Sequence, residues 1–159
     1  MIFVTVGAQM PFDRLLGWVD DWAVEHERRD VIAQIGDSPY QPRLLQVIPF
    51  MNPPAFRAQL QKADLVIAHA GMGSIINALE FGKPIVLVAR QGRLGETRND
   101  HQVATARRFA AEGIVRVADS PNELSREIAR LEQPSENPRI PSHAQPELLD
   151  RLRTFATNS

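Results

Sequence analysis

An α/β domain built on a six-stranded parallel sheet is the fold this sequence predicts, and three observations predict it. Short apolar runs, several of them rich in β-branched residues, recur at 2–6, 31–35, 44–50, 65–68, 85–88 and 114–117, with the length and composition of strands buried on both faces. Segments with helical spacing lie between most of them. Glycines punctuate the alternation: Gly7 and Gly36 close strands, and Gly82 and Gly113 close helices.

The elements follow in order. Strand one, 2–6, stops at Gly7, and Phe12, Leu15, Leu16, Val19, Trp22 and Ala23 then recur at helical spacing. Strand two, 31–35, stops at Gly36 and gives way to a loop rich in turn residues at 37–42. After strand three, 44–50, Asn52 and Pro53 suit an N-cap and first helical position, with Phe56, Leu60 and Ala63 on one helical face. Strand four, 65–68, leads through His69-Ala70-Gly71-Met72-Gly73-Ser74 into a short helix at 75–81. Strand five, 85–88, is followed by a polar loop and by a helix starting near Asn99 or Asp100, with Val103, Ala106 and Ala110 on its buried side. Strand six, 114–117, precedes Ser120-Pro121-Asn122-Glu123, a capping box with proline at the first helical position, and Leu124, Ile128 and Leu131 share the face of the helix it starts. The expected organisation is one domain over 1–132, a linker with three prolines over 133–142, and an amphipathic helix over 143–159 carrying Leu148, Leu152 and Phe155.

Strands alternating with helices favour a doubly wound sheet in the order 3-2-1-4-5-6, a single Rossmann-like domain. Strands one and four are then neighbours at the switch point, where ligands bind outside the carboxyl ends of the strands. The loops at that crevice are Gly7-Ala8-Gln9-Met10-Pro11 and Ala70-Gly71-Met72-Gly73-Ser74.

Composition narrows the function classes. A formal net charge of −1 over 159 residues gives no reason to expect nucleic acid or direct adhesion to an acidic membrane. The chain has no cysteine, which excludes disulfides and thiolate metal sites and is compatible with a reducing compartment. The start of the chain lacks a basic signal-peptide region. No run approaches the roughly 20 apolar residues of a membrane span. The four histidines have no metal-ligand spacing, so no protein-bound metal is expected.

His69 and the two glycines after it, between a strand and a helix, make a seat for a phosphate, because backbone N–H groups at a helix start face an anion and glycine admits close approach. The plainer reading is a tight turn that needs glycine for packing. A nicotinamide-dinucleotide fingerprint fits less well, since it belongs after the first strand and wants a small residue where Ile76 stands. The loop 90–98 carries Arg90, Arg93, Arg98 and Glu96. It is either a solvated loop or a cation cluster that attracts an anionic ligand, with a uronic-acid sugar as one option. Asn99-Asp100-His101-Gln102 is denser in hydrogen-bonding groups than a helix start requires and suits sugar hydroxyls; Asp100 alone can be a cap.

A family carries these residues together. Residues 2–7 with Pro11-Phe12-Asp13, then Gln34-Ile35-Gly36, Ala63 through Ile75, Gly82-Lys83-Pro84, Glu96 and Asn99-Asp100-His101-Gln102 appear in order over roughly residues 1–118. The chain resembles the family 28 glycosyltransferase C-terminal domain. More closely, it is similar to the soluble donor-binding subunits of two-component transferases, such as the PssE-like exopolysaccharide proteins and the catalytic subunit of the dolichol-linked N-acetylglucosamine transferase.

The resemblance implies the donor-binding, C-terminal half of a GT-B enzyme. It implies that His69, Gly71, Gly73 and Ser74 hold the UDP diphosphate, with His69 as the catalytic group. Gly7 and Gln9 then approach the diphosphate, Phe50 and Met51 lie near the uracil, and Asp100 and Gln102, with His101 between them, bind donor-sugar hydroxyls. Relatives often carry an acid for the ribose six residues after the first glycine; here Asn77 stands there, and Glu80 is one turn later. The resemblance further implies transfer to a lipid-linked saccharide with inversion, without metal or cofactor. A membrane-anchored partner would supply the acceptor half and recruit this chain to the cytoplasmic face. A second reading is a non-catalytic activator or scaffold of a partner transferase, favoured by Asn77.

Overall fold

The computed structural model describes residues 1–7, 10–97 and 101–133, together with Asp150 and Thr154. Six parallel strands form one sheet in the order β3-β2-β1-β4-β5-β6. They are β1 (Ile2–Thr5), β2 (Val31–Gln34), β3 (Gln46–Ile48), β4 (Leu65–His69), β5 (Ile85–Val88) and β6 (Arg116–Val117). The helices are α1 (Asp13–Glu25), α2 (Pro53–Lys62), α3 (Met72–Glu80), α4 (His101–Ala111) and α5 (Pro121–Glu132). This is the fold class and strand order the sequence predicts.

The strands are apolar without alternation because helices cover both faces. Ile2 and Val4 of β1, with Ile67 and Val86, pack against Leu15, Leu16 and Val19 of α1 and Leu124 and Ile128 of α5. Phe3, one residue out of phase, packs on the opposite face with Val66, Leu87, Leu60 of α2, Ile75 and Ala78 of α3, and Phe109 of α4. Both clusters are essentially dry, and each fully buried Leu or Phe contributes about 1.5–3 kcal/mol relative to exposure.

Several boundaries differ from the sequence expectation. β3 shrinks to three residues because it is an edge strand with Val47 exposed, and β6, the other edge, keeps only two. α3 starts at Met72, three residues before the start at Ile75 that the sequence predicts, so Met72, Gly73 and Ser74 are helical rather than loop. Asn52 caps α2 by accepting from the Ala55 N–H at 2.9 Å. Ser120 caps α5 by accepting from the Glu123 N–H at 3.1 Å, and the Glu123 carboxylate accepts from the Asp119 N–H. Gln9, Arg98, Asn99, Asp100 and almost all of the expected linker and C-terminal helix lie outside the described residues.

A buried polar cluster holds the loop between β2 and β3. Asp20, fully buried on α1, accepts from the Arg43 and Leu44 N–H groups and from the Tyr40 hydroxyl. Burial raises its pKa, but these donors outweigh burial, and the net shift is downward.

Candidate functional site

A cleft of about 520 Å³ opens at the carboxyl ends of β1 and β4, where the strand order reverses. Gly7, Met51, His69, Gly71, Gly73, Ser74, Asn77, Arg90 and Gln102 line it. The first-strand loop and the His69–Ser74 turn meet there, as the strand order requires.

His69 ends β4, and its ring lies between two glycines. A Cβ on Gly71 would stand 2.2 Å from His69 Cε1, and one on Gly7 would stand 2.6 Å from Nε2. Gly7 also has φ +77°, a left-handed conformation that glycine adopts without strain. Both glycines are thus required by the imidazole itself. His69 Nδ1 lies 3.3 Å from Gln102 Nε2, and His69 Nε2 lies 3.4 Å from Ser74 Oγ. Burial, with the neighbouring Arg90 charge second, pushes the His69 pKa down from 6.5 to about 4. The ring is neutral at pH 7 and acts as a hydrogen-bonding group rather than a cation.

The N-terminus of α3 faces the same space. Gly71 is its N-cap and supplies no side-chain cap, and no acid stands in the first turn. The first intrahelical bond runs from the Ile75 N–H to the Gly71 carbonyl, so the N–H groups before it have no partner within the helix. Gly73 differs from Gly71: a Cβ built on it meets nothing within 4 Å. Among the described residues nothing requires glycine there, and Gly73 lines the cleft. Unsatisfied donors and the positive end of a helix dipole suit a phosphate group.

Arg90 corrects the sequence expectation of a ligand-facing cation. Its guanidinium is buried and donates to the carbonyls of Val6, Met10, Pro11 and Glu96, with the Phe12 ring 4.9 Å away. It ties the loop after β1 to the end of β5. Arg14 forms a two-pronged bond to Glu96 at 3.0 Å and reaches the Ala89 carbonyl, fixing the loop after β5. Arg93 is exposed and donates to the Gln91 side chain. The arginine group therefore has one member fewer to pair with a uronic-acid carboxylate.

Other expected site residues are dispersed. Met51 lines the cleft, whereas Phe50 is exposed and outside its lining. Asn77 lines the cleft; Glu80 does not, and it pairs with Arg57 of α2 at 3.7 Å. Gln102 lines the cleft, whereas His101 is exposed and is not among the lining residues. Gln9 and Asp100 fall outside the described residues. Sequence reasoning missed Thr5 and Gln34. Thr5 Oγ1 donates to Gln34 Oε1 at 2.6 Å, and both line the cleft. Their signal was present: each is a polar residue in an otherwise apolar strand, next to its carboxyl end. Among the described residues, no group of His, Asp or Glu side chains can hold a metal ion.

Fold and site together define a Rossmann-like domain with the architecture of the C-terminal half of a GT-B glycosyltransferase. The model of the glycosyltransferase family 28 C-terminal domain matches residues 1–154, and the chain belongs to this family. It is 34% identical over 122 residues to the human UDP-N-acetylglucosamine transferase subunit ALG13, covering 70% of this chain and 10% of that protein. The chain thus spans a tenth of that relative's length. The solution structure of ALG13 superimposes with TM-score 0.63 at 22% identity, over 95% of this chain and 94% of that one. The kitacinnamycin glycotransferase superimposes with TM-score 0.66 at 20% identity, over 98% of this chain and 40% of that one.

Proposed function

We propose that the cleft binds a UDP-sugar and that this chain is the donor-binding part of a glycosyltransferase. The observation that carries this reading is the uncapped N-terminus of α3, open at Gly73 and flanked by His69 and Ser74. In transfer, an acceptor hydroxyl forms a bond to the sugar anomeric carbon as the bond from that carbon to the β-phosphate oxygen breaks. Negative charge grows on the departing UDP. The α3 N–H groups and the neutral His69 imidazole are preorganised donors for that charge, which need no reorganisation as it develops. Asn77 is placed to reach the ribose with an amide instead of a carboxylate, and Gly7, Met51 and Ser74 shape the pocket around the nucleotide.

The acceptor and the general base come from a second domain or chain, in this reading a membrane-associated partner that presents a lipid-linked saccharide. Among the described residues no helix is long and apolar enough to cross a membrane. The relatives' names favour N-acetylglucosamine as the donor sugar, and with Arg90 committed to carbonyls the uronic-acid option loses one of its three arginines. The exopolysaccharide setting gains none from these relatives.

The test is transfer from radiolabelled UDP-N-acetylglucosamine and other UDP-sugars to a lipid-linked acceptor, with the chain co-expressed with its partner. Replacing one preorganised donor, His69→Ala, is expected to slow transfer by about 10²-fold. Unchanged transfer in His69→Ala overturns the assignment. Asn77 also favours the scaffold reading, in which the chain binds no UDP and its partner transfers sugar at full rate without an intact His69.

A further inference from the structure

Gln102 meets His69 Nδ1 with a side chain whose donor and acceptor ends are distinct. Its Oε1 accepts from the Arg90 backbone N–H at 3.3 Å. That bond turns the other end of the amide, Nε2, toward His69 Nδ1, also at 3.3 Å. An amide NH₂ only donates, so Nδ1 must present its lone pair, and the single proton of the neutral ring sits on Nε2. Nε2 is the ring atom beside Ser74 and the start of α3. The opposite tautomer would aim a lone pair at the same place and repel an anion.

We propose that Gln102 is a positioning residue that holds His69 in its Nε2–H tautomer, so that the ring donates to the diphosphate, rather than a contact to the donor sugar. The inference deepens the donor-site reading and rests on it for the identity of the anion. Its geometry spans three elements: Arg90 after β5, Gln102 on α4 and His69 at the end of β4. Each end of the Gln102 amide is engaged once within the protein, which fixes the orientation of the side chain toward His69. Among the described residues, the charged groups that line the cleft with the ring are Arg90 and, in the loop after β5, Glu96, which is bound by Arg14. Burial and the Arg90 charge hold the ring neutral, and tautomer choice has meaning only in that state.

The test records long-range ¹H–¹⁵N spectra of the histidine rings in the full chain at pH 7, for the wild type, Gln102→Leu and Gln102→Glu. Calorimetric titrations with UDP and with UDP-N-acetylglucosamine accompany them. The wild-type His69 is expected to show a protonated Nε2 and a bare Nδ1. Gln102→Leu should spread the ring over both tautomers and weaken both ligands by the same factor, about tenfold. Gln102→Glu should place a proton on Nδ1, because a carboxylate only accepts, and should raise the pH at which the ring titrates. A wild-type ring protonated on Nδ1, or a tautomer unmoved by both substitutions, overturns the inference. So does a loss confined to UDP-N-acetylglucosamine, which marks a sugar contact. If the wild type binds neither ligand, the donor-site reading fails alone, and the ring spectra still decide the role of Gln102.

Discussion

The helices α5 and α3 begin with the same backbone groups and treat them in opposite ways. At α5, Ser120 accepts from the Glu123 N–H, Glu123 returns to the Asp119 N–H, and an acid stands in the first turn. At α3, the N-cap is Gly71, with no side-chain bond and no acid. A helix that needed only stability would be capped at both places, since a cap contributes about 1 kcal/mol. The difference shows that the start of α3 forgoes local stability, and the donor-site reading accounts for it: its donors are kept for a ligand. The cost is met by packing elsewhere, in the burial of Ile75, Ala78 and Leu79 of the same helix.

Substitutions can break this comparison. Arg90→Met should have the largest effect. It strands several buried carbonyls, and a loss of about 3–5 kcal/mol in urea unfolding is expected. A loss under 1 kcal/mol would show that Arg90 does not tie the two loops together. Gly71→Ala should cost about 1–3 kcal/mol, because its methyl group enters the His69 ring and the core must give way. It should also abolish UDP binding, as a displaced imidazole no longer flanks α3. Ser120→Ala should cost about 1 kcal/mol and leave UDP affinity unchanged. Gly73→Ala sharpens the contrast with Gly71. Stability should stay within about 0.5 kcal/mol, while UDP affinity falls about tenfold because the methyl group stands in the ligand's space.

The pH dependence of folding tests the neutral histidine. The folded pKa of His69 lies near 4 and the unfolded value near 6.5, so between them the unfolded chain binds the additional proton. Stability should therefore fall as pH drops from about 6.5 to about 4. His69→Gln should flatten that slope, measured as urea-unfolding free energy against pH. A slope that is the same in both proteins would place the His69 pKa near its ordinary value.

Much of this was legible in the sequence. Apolar runs without alternation located the strands, and Asn52 and Ser120 marked two helix starts by side-chain chemistry that acts locally. His69 and the glycines marked the turn after β4. What stayed hidden depends on distant partners. Arg90 reads as a ligand cation until the carbonyls of Val6, Met10 and Pro11 are found around it. Gly71 and Gly73 are indistinguishable in sequence, and only the His69 ring separates their roles. Gln102 reads as a sugar contact in the sequence, and its bond from the Arg90 N–H and its approach to His69 are visible only in the fold. Glu80 and Asn77 share a helix, but only Asn77 faces the cleft.

The most direct measurement of the central claim is a calorimetric titration of UDP into the wild type, Gly73→Ala and Ser120→Ala. The account predicts saturable binding to the wild type, binding about tenfold weaker in Gly73→Ala, and wild-type affinity in Ser120→Ala. Absence of binding to the folded wild type, or equal affinity in Gly73→Ala, would contradict the assignment of the α3 N-terminus as the diphosphate seat.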